Sequence, residues 1–132
     1  AWSSDVSEVY FSWRNGVAQV PNLDNIYDIT LEQKKVIFDG PIKEKEVTED
    51  LRLEGLYTLT TTDDHAMHIV GLVKDQTGKE YYKVKNSWGS DEKKVANGGY
   101  VYMSVPYMKL KAISVLVHKD GIQKETKKKL GL

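Results

Sequence analysis

Two stretches of alternating or apolar residues, His65 to Val73 and Glu80 to Lys85, flank the polar segment Lys74-Asp75-Gln76-Thr77-Gly78-Lys79. This pattern narrows the fold more than any other feature of the chain. Ile69, Val70, Leu72 and Val73 suit a strand, the second stretch alternates, and the Asp, Thr and Gly between them are turn formers. The expectation is an antiparallel hairpin. Pairing centred near Gln76 sets His65 opposite roughly Ser87, so His65 and Asn86 should meet at the end of the hairpin away from the turn.

The rest of the chain is read around that hairpin. Ala1 to Val6 reads as a strand with an abrupt start. Asn15-Gly16 and Pro21-Asn22 mark turns or loops between Arg14 and Asn25. Thr30 is placed to cap a short helix through Val36, with Glu32 in its first turn, and Asp39-Gly40-Pro41 ends it. A second helix is expected from Thr48 to about Tyr57, followed by an extended threonine-rich segment, Thr58 to Thr62. Ser87 to Asn97 reads as a polar loop. Gly98-Gly99 turns into a strand from Tyr100 to Val105 that Pro106 breaks, and Ala112 to Val117 reads as a further strand. Gln123 to Lys129 is expected to be helical. The fold class is α+β: two small helices, then an antiparallel meander, in one domain spanning residues 1–132.

A histidine at a strand start facing an asparagine suits nucleophile activation. The asparagine oxygen holds one ring nitrogen, which leaves the other to face a thiol and form a thiolate–imidazolium pair. An indole such as Trp88 would shield that hydrogen bond from water. The chain contains no cysteine. Disulfides, thiolate metal sites and a cysteine nucleophile on this polypeptide are therefore excluded.

Each residue also has a plainer reading. His65 could be a packed or capping histidine, Asn86 a turn residue, and Trp88 ordinary core. His65 and His68 with Asp63 and Asp64 do not make a metal site, because positions i and i+3 on a strand face opposite ways. His118 reads as structural. Lys124, Lys127, Lys128 and Lys129 read as a solvated helix face. Gly98-Gly99 lacks the following helix and lysine of a phosphate loop. Nineteen Lys plus Arg balance nineteen Asp plus Glu, which argues against nucleic-acid or membrane-surface binding through global charge. No apolar run is long enough to span a bilayer.

His65-Ala66, then Asn86-Ser87-Trp88-Gly89, then Gly98-Gly99-Tyr100 resemble the papain superfamily of cysteine peptidases. Asp64-His65-Ala66-Met67 and the long hairpin look like its bleomycin hydrolase and aminopeptidase C branch. The resemblance is good from about Leu51 to Val117, and Trp2-Ser3-Ser4-Asp5-Val6 looks like the strand that opens the β-rich half of that fold. It implies that this chain is the C-terminal part of a thiol aminopeptidase whose cysteine-bearing, largely helical half is absent. His65 is then the catalytic base, Asn86 its orienting partner and Trp88 the indole cover. No metal or organic cofactor is implied, and Asp64 is given no catalytic role.

The branch further implies peptide substrates, a hexameric ring, and a C-terminal tail lying along the cleft; the resemblance favours a cytoplasmic setting and leaves a secreted or cell-envelope one open. In that tail the carboxylate of Leu132 is the candidate anchor for a substrate's free amine. The alternative is a papain-fold homologue without a nucleophile that serves in binding or scaffolding. Half of a two-part fold is also expected to expose an apolar face.

Overall fold

A computed structural model describes residues 1–91 and 93–132. The hairpin is present as β4 (His65–Lys74) and β5 (Glu80–Lys85). Asp75 closes its turn: Oδ1 accepts from the Thr77 amide at 2.7 Å, the Thr77 hydroxyl at 2.7 Å and the Lys79 amide at 3.0 Å. Near the turn Leu72 pairs with Tyr82. Farther along, a β-bulge between Ile69 and Gly71 shifts the register, and His68 pairs with Lys85. The extra residue of the bulge bends the strand and moves its pairing along by one. Extending that register sets His65 opposite Trp88, one residue beyond the Ser87 expected from the sequence.

Among the described residues five more strands complete one sheet: β1 (Trp2–Ser4), β2 (Phe11–Ser12), β3 (Val17–Ala18), β6 (Tyr100–Ser104) and β7 (Ala112–Val115). Their order, β2-β3-β6-β5-β4-β1-β7, is not a simple meander. The N-terminal strand β1 inserts between β4 and β7, with Ser4 opposite both His65 and Ala112. β3 runs parallel to β6. This corrects the expected antiparallel meander. Residues far apart in sequence settle which strands are neighbours, so periodicity along the chain does not carry that information.

The helices are α1 (Leu31–Ile37), α2 (Glu49–Tyr57), α3 (Val105–Lys111) and α4 (Lys124–Leu130). Thr30 caps α1 reciprocally: Gln33 N–H donates to Thr30 Oγ1 at 3.2 Å and Thr30 N–H donates to Gln33 Oε1 at 2.8 Å. This is a capping box. α3 corrects the reading of Pro106 as a simple break. Ser104 accepts from Tyr107 N–H at 3.1 Å and Pro106 stands in the first turn of the helix, where its missing N–H costs nothing. Thr58 to Thr62 is not extended but a chain of turns after α2, with Leu59 in the left-handed region at φ 57°.

The core gathers Trp2, Tyr10, Val20, Ile26, Ile37, Met67, Val84, Val101, Met103, Tyr107 and Leu110, each nearly or fully removed from water. Val70, Leu72, Val115, Leu116 and Val117 are exposed. Arg52 of α2 ties the end of α3 to the sheet, donating to the carbonyls of Lys109 at 2.8 Å and Ala112 at 2.6 Å. Those carbonyls would otherwise be orphaned at a helix terminus.

Candidate active site

His65 is the first residue of β4, and Asn86 follows the last residue of β5. Their side chains meet with His65 Nε2 2.8 Å from Asn86 Oδ1. The same oxygen accepts from the Ser87 N–H at 2.7 Å. A backbone amide can only donate, which fixes that atom as the carbonyl oxygen of the amide. An oxygen acceptor requires Nε2 to carry the proton, so in the neutral ring Nδ1 is the basic nitrogen. Among the described residues Nδ1 has no hydrogen-bond partner. Asn86 is itself buried and its N–H donates to Gly99 O at 3.2 Å.

Trp88 covers this pair. Its ring centroid lies 4.4 Å from that of His65 with the planes tilted by 32°, a partly stacked arrangement. Trp13 and Phe11 meet Trp88 edge-on at centroid distances of 5.8 and 6.4 Å. Trp88 stays half exposed, at 51%. Neither Phe11 nor Trp13 was singled out from the sequence. The signal that could have found them is Asn15-Gly16, which turns a short hairpin of β2 and β3 and leaves Trp13 at its tip; Gly16 has φ +65°.

The Gly98-Gly99-Tyr100 motif has a steric reason. Gly99 has φ +88°, and a Cβ there would sit 2.5 Å from the carbonyl oxygen of Gly89. The Trp88-bearing loop therefore crosses directly over Gly99, and only hydrogen fits between them.

The segment that delivers His65 is held by side chains rather than by regular structure. Asp5 Oδ2 accepts from Thr62 N–H at 2.9 Å, Asp64 Oδ1 accepts from Val6 N–H at 3.0 Å, and Ser3 Oγ donates to Asp63. Burial, the largest influence on Asp64, pushes its carboxyl above the ordinary carboxylate value. Burial works the same way on Asp5. There the hydrogen bonds from Thr62 and Ser7, with the Lys111 charge, outweigh it and hold the carboxyl below the ordinary value.

His65, Asn86 and Trp88 thus converge, while Leu132 does not join them. It is exposed at the end of a tail, and its N–H closes α4 by donating to Lys127 O at 3.0 Å. His68 is exposed on the strand, apart from His65. Among the described residues no group of three or more His, Asp or Glu side chains could hold a metal ion, and no helix is long and apolar enough to cross a membrane.

No curated protein matches the chain. Among solved structures, that of PepW from Lactobacillus rhamnosis HN001 is similar, with a TM-score of 0.59 and 24% sequence identity. The likeness covers 98% of this chain but only 25% of PepW, and at that identity it speaks for the fold alone. This chain therefore spans about a quarter of the length of the protein it resembles. The α+β fold, with its mixed sheet and short helices, is part of a papain-like fold. The Peptidase C1-like family matches residues 8–131, almost the whole chain, and the chain belongs to that family within the papain superfamily.

Proposed function

We propose that this chain is the His/Asn-bearing C-terminal portion of a thiol aminopeptidase of the bleomycin hydrolase type. The observation that carries the reading is the 2.8 Å contact from His65 Nε2 to Asn86 Oδ1, which leaves Nδ1 as the basic nitrogen. Asn86 is the orienting partner, and the half-exposed Trp88 indole limits water at their hydrogen bond. The nucleophile is a cysteine from the rest of the protein, since this chain has none. Its thiol passes a proton to Nδ1, and the thiolate attacks the peptide carbonyl. The imidazolium then protonates the leaving amine, and the neutral ring later draws a proton from the water that releases the acyl group.

The substrates on this reading are peptides with a free amino end. The carboxylate of Leu132, carried on the exposed tail, is the counter-charge for that ammonium group. A hexameric assembly with its sites facing inward belongs to the same reading. No metal or organic cofactor takes part. The alternative is a catalytically inactive papain-fold homologue that binds or scaffolds, and it turns on the residue at the nucleophile position.

The test is to determine the residues upstream of Ala1 in the native polypeptide and to assay that polypeptide on amino-terminal chromogenic peptides. The reading expects an upstream cysteine at a helix start, hydrolysis of substrates with a free amine, and loss of hydrolysis in His65→Ala. Removing Leu132 should relax the requirement for a free amine. Another residue at the cysteine position, or no hydrolysis with the cysteine present, would give the binding or scaffold alternative the stronger case.

A further inference from the structure

Beneath the strand end that carries His65 lies a buried ionic cluster that the hydrolytic reading does not use. Lys111, the last residue of α3, is fully removed from water. Its ammonium group donates to the Glu8 carboxylate, to Thr60 O at 2.6 Å and to Thr61 Oγ1 at 3.1 Å, and it stands 3.9 Å from Asp5 Oδ2. An ammonium has three donors, so each is engaged. Burying a charge is costly unless it is paired and fully hydrogen-bonded. This one is placed where its partners are the residues leading into His65.

Those residues, Thr60 to Asp64, form no helix or strand. Thr60 and Thr61 are held by Lys111 directly. Thr62 N–H is held by Asp5, whose other oxygen is occupied by the N–H and hydroxyl of Ser7 at 2.9 and 2.8 Å. Asp64 N–H reaches Ser4 O at 3.4 Å, and Ser4 Oγ in turn donates to Lys111 O at 2.7 Å. Gly55 leaves space for the arrangement, since a Cβ there would sit 2.8 Å from Thr61 Oγ1. The Lys111 backbone thus anchors β1 while its side chain anchors the approach to β4. Both sides of the Ser4–His65 pairing are set from one residue.

We infer that Lys111, with Asp5 and Glu8, is a positioning device for His65: it fixes the path of Thr60 to Asp64 and so aims the imidazole at Asn86. It touches neither His65 nor any reacting atom. The inference deepens the proposed function by naming what orients its base, and it rests on that reading only for the catalytic consequence.

The experiment is nitrogen NMR of the His65 ring in the full-length polypeptide with its upstream nucleophile replaced by alanine, comparing the wild type at positions 111 and 5 with Lys111→Met and Asp5→Asn. The wild type should show His65 as the Nε2–H tautomer with a slowly exchanging, hydrogen-bonded Nε2–H signal. Lys111→Met should lose that signal and show a mixture of tautomers while the amide signals of β5 and β6 keep their positions. Asp5→Asn leaves one acceptor oxygen for donors from Ser7 and Thr62 and removes the charge that faces Lys111. It should give the same change in smaller degree, and it decides the matter if Lys111→Met fails to fold. An unchanged His65 signal in a folded Lys111→Met or in Asp5→Asn overturns the inference and leaves Lys111 a stabilising residue only. The readout needs no hydrolysis. A full-length protein that is inactive with its nucleophile position intact, and whose His65 responds in this way, would sink the proposed function and leave the positioning role standing.

Discussion

Replacing Gly99 and Gly98 one at a time by alanine separates two costs that a glycine pair usually confounds. Both residues have positive φ, +88° at Gly99 and +57° at Gly98. Each alanine therefore meets a backbone strain of about 1–2 kcal/mol. At Gly98 nothing lies within 4 Å of the added Cβ, so strain is the whole cost. At Gly99 the Cβ would sit 2.5 Å from Gly89 O and 3.4 Å from the Cα of Ser90. These are backbone atoms that cannot rotate away. Forcing that overlap to relax adds about 1–3 kcal/mol, so Gly99→Ala should cost roughly 2–5 kcal/mol in all. That is a large share of the roughly 5–15 kcal/mol by which a domain is stable.

The displaced loop carries Trp88, and the Gly99 carbonyl holds the Asn86 amide. Gly99→Ala should therefore also lift Trp88 off His65, whereas Gly98→Ala should leave it in place. Urea denaturation gives the two stability changes, and ring-current shifts of the His65 protons report the stacking. Equal losses in the two variants, or an unmoved Trp88 in Gly99→Ala, would refute the argument from close approach.

Three other outcomes follow from the same geometry. Asn86→Ala removes the acceptor shared by His65 Nε2 and Ser87 N–H; it should cost about 1–2 kcal/mol by denaturant titration and leave the His65 ring in mixed tautomers by NMR. Trp88→Ala removes a half-exposed ring, so stability should change by no more than about 1 kcal/mol while exchange of the His65 Nε2–H with water becomes faster. Burial raises the hydroxyls of Tyr10, Tyr81 and Tyr107 above the ordinary tyrosine value. Because the folded state resists their ionisation, the stability they contribute is intact below about pH 10 and is lost as pH rises from there toward their folded values. Tyrosinate absorbance should accordingly rise together with the loss of circular dichroism in an alkaline titration, and early ionisation of all the tyrosines in a folded chain would contradict the burial.

The sequence by itself determined the local pieces of this protein. Alternation and the Asp-Gln-Thr-Gly turn specified β4 and β5, Thr30 and Thr48 announced the starts of α1 and α2, and α4 lies close to its expected span. These signals depend on residues a few positions apart, so they survive without knowledge of the fold. The meeting of His65 with Asn86 was legible for the same reason, since a hairpin makes a contact between strands nearly a local one.

Only the tertiary structure decided the rest. Pairing about Thr77 rather than Gln76 would set Gly89 across from His65, and the bulge at Ile69–Gly71 brings Trp88 there instead. The insertion of β1 between β4 and β7 joins the two ends of the chain, and the parallel pairing of β3 with β6 crosses most of its length. Lys111 in the sequence looks like one more lysine in the segment between Pro106 and the strand expected from Ala112. It becomes a buried hub because Glu8 and the adjacent Thr60 and Thr61 arrive around it from two distant segments. Charge that is solvated in the unfolded chain acquires its meaning from the partners that exclude water around it, and those partners are assembled only by the fold.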